Sequence, residues 1–215
     1  MKKNKFSKGI ILGDYTNPPY HPLKEVDHEI KSIFEEEIEF EATEDYSILD
    51  FEKLKNYDLF VVYTDCFSVP QPKNYISSIV KYIENGGKLL VIHNGISLQE
   101  DEAYVDLIGA KFTGHPDYTD LKISVKEPKH PINEGIEEFI IPEEPYRYEF
   151  KQEDSKLVIL EYIHEGKVYP AAWCKLIGKG RLVYLMPGHN VASFKNESYR
   201  KIISQSGKWL LEKNN

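Results

Sequence analysis

Apolar residues in the first half of this chain come in blocks that alternate with longer periodic stretches. Gly9 to Leu12 is an apolar run stopped by Gly13-Asp14, which reads as a buried strand. A polar loop with Asn17-Pro18-Pro19 follows. Within Leu23 to Glu37, Val26, Ile30, Ile33 and Phe34 recur at i, i+4, i+7 and i+8, the stripe of a helix packed on a sheet. Asp58 to Tyr63 (DLFVVY) is a β-branched and aromatic run, read as a further strand that ends in Thr64-Asp65-Cys66. Pro72 opens a helix whose Ile76, Ile79, Val80 and Ile83 form one face, with Gly86-Gly87 as its left-handed stop. Lys88 to Ile92 (KLLVI) is the next strand, ending at His93-Asn94-Gly95, and a helix from Gln99 to Ile108 closes at Gly109.

Strands apolar on both faces, alternating with helices, predict a parallel sheet covered on each side: a doubly wound, flavodoxin-like α/β fold. The pattern changes after Gly109. Leu121 to Val125, Leu157 to Tyr162 and Val168 to Trp173 are shorter runs separated by Pro-containing loops and a turn at His164-Glu165-Gly166-Lys167. They predict an antiparallel extension in the second half. Arg181 to Met186 (RLVYLM) reads as a central strand paired with its predecessor through the Ile177-Gly178-Lys179-Gly180 turn. A helix from Glu197 to Glu212 carries Tyr199, Ile202, Ile203, Trp209 and Leu210 on one face. No linker, repeat or low-complexity tract divides residues 1–215, so a single domain is expected.

Charge narrows the function classes. With 35 Asp+Glu against 27 Lys+Arg, the net charge of −8 lacks the basic footprint of a nucleic-acid binder. No apolar stretch approaches the ~20 residues of a membrane span. Cys66 and Cys174 are the only cysteines and show neither disulfide nor zinc-ligand spacing. These features point to a cytoplasmic protein with a small-molecule partner, no nucleic acid and no membrane, and a homodimer is the default assembly for such a protein.

In an open α/β sheet, ligands sit beyond the carboxyl ends of the strands. Residues just after each strand are therefore the candidates: His21 in Tyr20-His21-Pro22, Asp65, His93 with Asn94, and His189. His115 lies in the polar loop Gly114-His115-Pro116, and Glu143-Glu144-Pro145-Tyr146 places two acids and a phenol in one turn. Imidazole and carboxylate suit proton transfer near neutral pH. The bland alternatives stand beside these readings. His93 and His189 also read as satisfied turn histidines, His21 and His115 as exposed loop residues, and His28 and His164 as solvated. His130, ahead of Pro131, reads as structural. Most acids form a solvated surface, Glu35-Glu36-Glu37 among them. The G-x-G-x-x-G, Walker, H-E-x-x-H and G-x-S-x-G motifs are absent.

Taken in order, Tyr20-His21-Pro22, Gly86-Gly87-Lys88, Val91-Ile92-His93-Asn94-Gly95, Phe112-Thr113-Gly114-His115-Pro116 and His130-Pro131-Ile132 form a pattern along the chain. Glu143-Glu144-Pro145-Tyr146, Pro170-Ala171-Ala172-Trp173, Gly178-Lys179-Gly180-Arg181, Gly188-His189 and Trp209 continue it. Together they resemble the ThuA-like (trehalose-utilisation) family, a branch of the class I glutamine amidotransferase-like superfamily. The superfamily places a cysteine nucleophile at the turn that here carries His93. An imidazole cannot form the thioester needed for glutamine hydrolysis, so the resemblance implies the fold without amidotransferase chemistry.

The family association is with carbohydrate, especially disaccharide, metabolism. The resemblance does not fix the catalytic step; the first reading is an enzyme acting on a sugar or sugar derivative by His/Glu acid-base chemistry, with His93, His189, Glu144 and Tyr146 as catalytic residues. His21, Asp65, Asn94, His115 and Trp173 would bind substrate. A divalent metal such as zinc, held by some of the histidines, is compatible with this donor set. A metabolite-sensing module without catalysis would equally explain the missing cysteine, and a residual amidase using Cys66 is a third reading.

Overall fold

In the computed structural model, which describes residues 6–16, 18–67, 75–151 and 155–212, the apolar blocks become strands and the periodic stretches helices. The first half runs β1 (Ser7–Gly13), α1 (Leu23–Ile33), β2 (Ile38–Thr43), α2 (Phe51–Leu54), β3 (Leu59–Tyr63), α3 (Ile76–Glu84), β4 (Lys88–Ile92) and α4 (Glu102–Ile108). The second runs β5 (Ala110–Gly114), β6 (Thr119–Val125), β7 (Phe139–Glu143), β8 (Arg147–Phe150), β9 (Leu157–His164), β10 (Lys167–Ile177), β11 (Gly180–Leu185), α5 (Val191–Lys195) and α6 (Glu197–Leu211). Asn17 and Pro72, on which a loop and a helix start were placed, lie outside the described residues.

Nine strands form one sheet in the order β2-β1-β3-β4-β11-β10-β9-β6-β7. Pairing is parallel from β2 to β11 and antiparallel from β11 to β7. This is the expected mostly parallel sheet with an antiparallel extension. All five residues of β3 are buried, as a strand covered on both faces requires. Successive residues of β11 show the two covers: the Arg181 guanidinium reaches Trp209 of α6, whereas a Cβ on Gly180 would meet Ile83 of α3. The hairpin turn at Ile177–Gly180 is present, with Gly178 at φ +58°.

Strand β7 and the short helices α2 and α5 were not read from the sequence, and further details differ from it. Helix α1 stops at Ile33, leaving Glu35-Glu36-Glu37 in a turn rather than against the negative end of the helix dipole. The helix expected from Gln99 starts at Glu102, capped by the Asp101 carboxylate, because His93–Leu98 folds as a 3-10 turn. Strand β2 and the separate β5-β8 pair had no counterpart in the reading, since IEFEAT is a half-exposed edge strand and AKFTG and RYEF are short and mixed.

Candidate metal centre at the strand ends

Strands β1, β3, β4 and β11 run the same way, so their carboxyl ends share one edge and deliver His21, Asp65, His93 and His189 to it. Strand direction reverses at β10, returns at β9, reverses at β6 and returns at β7, so Glu143 and Glu144 also emerge at that edge. In a flat sheet β7 would lie roughly 19 Å from β11, four strand spacings away. Instead Glu143 Oε1 accepts the Gly188 N–H at 2.8 Å. The antiparallel half therefore curls over the end of the parallel half and brings its acids to the histidines.

His93 occupies the sharp turn after β4 with φ +45°, a left-handed conformation that a non-glycine residue holds only where its surroundings enforce it. Gly95 supplies part of that enforcement, because its Cα packs where a Cβ would stand 2.3 Å from the Val62 carbonyl oxygen. The imidazole is fully buried, packs at a tilt against the Tyr146 ring with centroids 4.2 Å apart, and donates its Nδ1–H to the Met186 carbonyl at 2.6 Å. That bond fixes the tautomer, so Nε2 presents a lone pair. Burial pushes the His93 pKa down to about 4, and the acceptors Glu144 and Met186 only partly oppose it.

The His93 lone pair points at another acceptor, Glu144 Oε2, 3.3 Å away. The same oxygen lies 3.2 Å from His189 Nδ1 and 3.7 Å from His21 Nε2, and those two nitrogens are 3.2 Å apart. All four ligand atoms fall within 4.8 Å of one another. A tetrahedron of N and O donors around an ion at about 2.0–2.1 Å has edges of about 3.3–3.4 Å. Four of the six spacings, at 3.2–3.7 Å, lie near those edges, and the donor set of three imidazoles and one carboxylate suits zinc and its first-row neighbours. Burial works to raise the Glu144 pKa, but His189, His21 and His93 outweigh it and hold the carboxyl well below its usual range.

Asp65 backs His21. Its Oδ2 accepts the Tyr20 and His21 backbone N–H groups at 2.7 and 2.6 Å, and His21 Nδ1 lies 3.5 Å from it at ion-pair distance but out of hydrogen-bond alignment. This arrangement directs the ring proton to Nδ1 and leaves Nε2 for the cluster, as outer carboxylates do for metal-binding histidines. On the other flank, Glu143 is fully buried and accepts from Gly188 N, His189 N and Ser193 Oγ. Burial pushes its pKa up to about 7 against those donors.

The cluster opens into a cavity of about 690 Å³ walled by Tyr20, Phe67, Phe112, His115 and Tyr146. Glu144 and His189 are its accessible members, with side-chain exposures of 13% and 24% against 4% for His21 and 0% for His93. His115 stands beyond them: its Nε2 is 3.6 Å from Glu144 Oε1 while Nδ1–H donates to the Pro116 carbonyl at 2.8 Å.

Of the residues singled out in the sequence, His21, Glu144, Tyr146, His189 and His115 line this cavity, His93 joins their cluster from beneath, and Asp65 supports it from behind. Two do not, and their assignment to substrate binding is corrected. Trp173 is fully buried against Tyr148 and Tyr184, its indole N–H donated to the Ile108 carbonyl. Asn94 is fully buried and donates to the Tyr63 and Thr64 carbonyls below the cluster. The Cys66 thiol is also excluded as a nucleophile, since it is buried against the Tyr46 hydroxyl and burial pushes its pKa up to about 11. The sequence reading missed Glu143 as a buried anchor, and Phe67 and Phe112 as cavity walls.

The surplus of 15 tyrosines also finds a use here. Tyr63 donates its hydroxyl to Gly188 O at 2.8 Å, Tyr199 to Pro187 O, and Tyr184 to His93 O at 3.3 Å. Tyr104 donates to Gly95 O at 2.7 Å and Tyr162 to Tyr146 O at 2.6 Å. Each of these phenols springs from the core and ties down a carbonyl in a turn of the site.

A family model described as ThuA, trehalose utilisation, matches residues 19–210. No curated protein sequence matches the chain. Among solved structures, a ThuA-like protein from Parabacteroides merdae aligns with a TM-score of 0.77 at 16% identity, over 96% of this chain and 90% of that one. A ThuA-like protein from Bacteroides uniformis gives 0.75 at 18% identity, over 95% and 91%. PurLQS from Thermotoga maritima gives 0.64 at 16% identity, over 96% and 100%. These structural likenesses speak to the fold, while the family model spans the strand ends that carry His21, His93, Glu144 and His189. The chain therefore belongs to the ThuA family.

Proposed function

We propose that His21, His93, His189 and Glu144 hold a divalent metal ion such as zinc, and that the protein is an enzyme acting on a sugar or sugar derivative bound in the adjoining cavity. The observation that carries the metal is the convergence of three imidazole nitrogens on one carboxylate oxygen at 3.2–3.7 Å, with the His93 proton already committed to Met186. At His93 the Nε2 lone pair faces the Glu144 carboxylate, and a cation between them would turn that repulsion into attraction. With four protein donors in place, a bound ion would act as a Lewis acid only on a substrate oxygen taken up as an added ligand.

The chain's own residues supply the rest of the chemistry. His115, with its proton on Nδ1, offers Nε2 to accept a proton from a group held on the accessible side of Glu144 and His189. Tyr146 and Phe112, whose rings lie 4.3 Å apart and are inclined at 48°, give the cavity an apolar aromatic wall against which a sugar ring could pack. The sugar substrate class rests on the family's association with trehalose utilisation and on this aromatic wall. Amidotransferase chemistry forms no part of the reading, because His93 stands at the nucleophile turn. The protein is further proposed to work in the cytoplasm as a homodimer, with no nucleic-acid or membrane partner. Its charge of −8 supports this reading, and among the described residues no helix is long and apolar enough to cross a membrane.

Metal analysis of the purified protein, with zinc and cobalt titrations of the chelator-treated form, tests the centre. Close to one ion per chain, lost in His93→Ala and His189→Ala, is the expected result. Absence of binding in the unaltered protein overturns it. A thermal-shift screen of sugars on the loaded protein, followed by product analysis of each hit, separates turnover from binding alone.

A further inference from the structure

We infer that Glu143 is the positioning residue of this centre: its buried carboxylate sets the backbone of the Pro187-Gly188-His189 turn and thereby places His189 Nδ1 among the ligand atoms. The inference rests on the metal-centre reading and extends it to a residue outside the ligand set. Neighbouring residues on a strand face opposite ways. At the end of β7 this divides two adjacent acids, with Glu144 turned toward the histidines and Glu143 turned under the turn that follows β11.

The contacts of Glu143 are directed at His189 and its immediate flanks. Oε1 accepts Gly188 N–H at 2.8 Å and the Ser193 hydroxyl, and Oε2 accepts His189 N–H at 3.3 Å. Ser193 lies in α5, the helix immediately after the turn, so one carboxylate grips the turn from both ends. Gly188 has φ +137°, and a Cβ there would meet Ile92 Cγ2 at 2.6 Å and His93 Cβ at 3.2 Å. The turn thus sits directly on the His93 residue, and a shift of its backbone changes the separation of two ligands at once. A glutamine in place of Glu143 keeps the shape but brings an N–H against one of these N–H donors, whichever way its amide is turned.

The test is a cobalt titration, followed by the visible d–d absorption of the bound ion, on the full chain and on Glu143→Gln and Ser193→Ala. Melting of the chelator-treated forms is recorded in parallel. The expected result is a dissociation constant raised 10–100-fold in Glu143→Gln, the range typical of lost outer-sphere support, with a changed cobalt spectrum. Ser193→Ala should move both readouts in the same direction by less. A purely structural role lowers the melting temperature but leaves the constant and the spectrum as they were, and that result overturns the inference. If Glu143→Gln does not fold, Ser193→Ala decides: weaker cobalt binding supports the assignment and unchanged binding overturns it. Failure of the unaltered chain to bind cobalt is a different outcome, since it removes the centre and with it anything for Glu143 to position.

Discussion

His21 Nδ1 lies 3.5 Å from Asp65 Oδ2, and that same oxygen takes the backbone N–H of His21 at 2.6 Å. One buried carboxylate thus holds the backbone of a single ligand by hydrogen bond and faces its ring at ion-pair distance. Asp65→Asn retains the shape but replaces the anion that draws the proton to Nδ1. Zinc affinity measured by competition with a chromophoric chelator is expected to fall 10–100-fold, with the far-UV circular dichroism unchanged. Unaltered affinity would show that His21 needs no such partner.

The metal-free protein should respond to acid in a particular way. His93, with its pKa pushed to about 4, stays neutral when folded, while the unfolded chain takes up its proton below about 6.5. Taken alone this costs about 3 kcal/mol of stability as pH falls from 6.5 to 4. Glu143 acts with the opposite sign: raised to about 7 from 4.5, it favours the folded state at low pH and loses that contribution as pH climbs from 4.5 to 7. His21, whose pKa rises because Asp65 and Glu144 outweigh burial, works in the same sense as Glu143. Glu143→Gln removes one of the opposing contributions. Its melting temperature, followed in the presence of a chelator, should rise more steeply with pH between 4.5 and 6.5 than that of the unaltered protein; an identical slope contradicts the assignment.

Gly95 is predicted to be intolerant of the smallest side chain. A methyl group there would stand 2.3 Å from the Val62 carbonyl oxygen, a backbone atom of β3 that cannot rotate away. Gly95→Ala should lose at least about 2 kcal/mol of stability by urea denaturation, within the range of overpacked cores, and a loss below about 0.5 kcal/mol would show that the turn yields.

Both cysteines should be inert in the native protein. Burial raises Cys66 and Cys174 to about 11, and each is almost fully covered. Ellman's reagent at pH 8 is expected to label neither within minutes and both after denaturation. Rapid native labelling of Cys66 would reopen it as a nucleophile.

The parallel half of the fold was legible because a strand buried on both faces must be apolar throughout, as in LFVVY and KLLVI. Strand β2 escaped because Glu39 and Glu41 are solvent-exposed on a sheet edge and break the apolar run. The candidate histidines could be placed at strand ends, but their convergence depends on strand order and on the curl of the antiparallel half. His21 and His189 meet across 168 positions of chain. Which of two adjacent glutamates faces inward depends on where β7 ends, so Glu144 was chosen while Glu143 passed as its neighbour. Trp173 was placed among the substrate-binding residues, yet the pleat of β10 turns it into the core.

The tyrosine hydroxyls bonded to site carbonyls have a consequence for motion. Tyr63, Tyr104, Tyr162, Tyr184 and Tyr199 are rooted in the core. The turns they hold therefore cannot loosen independently of the sheet and helices beneath, and opening the site requires opening the fold. Amide protons at Gly188 and His189, although at the protein's reactive edge, should exchange as slowly as those in the middle of β4. Ligand and ion must then enter a site that is already built, with the cavity mouth at Tyr20 and His115 left as the part free to adjust.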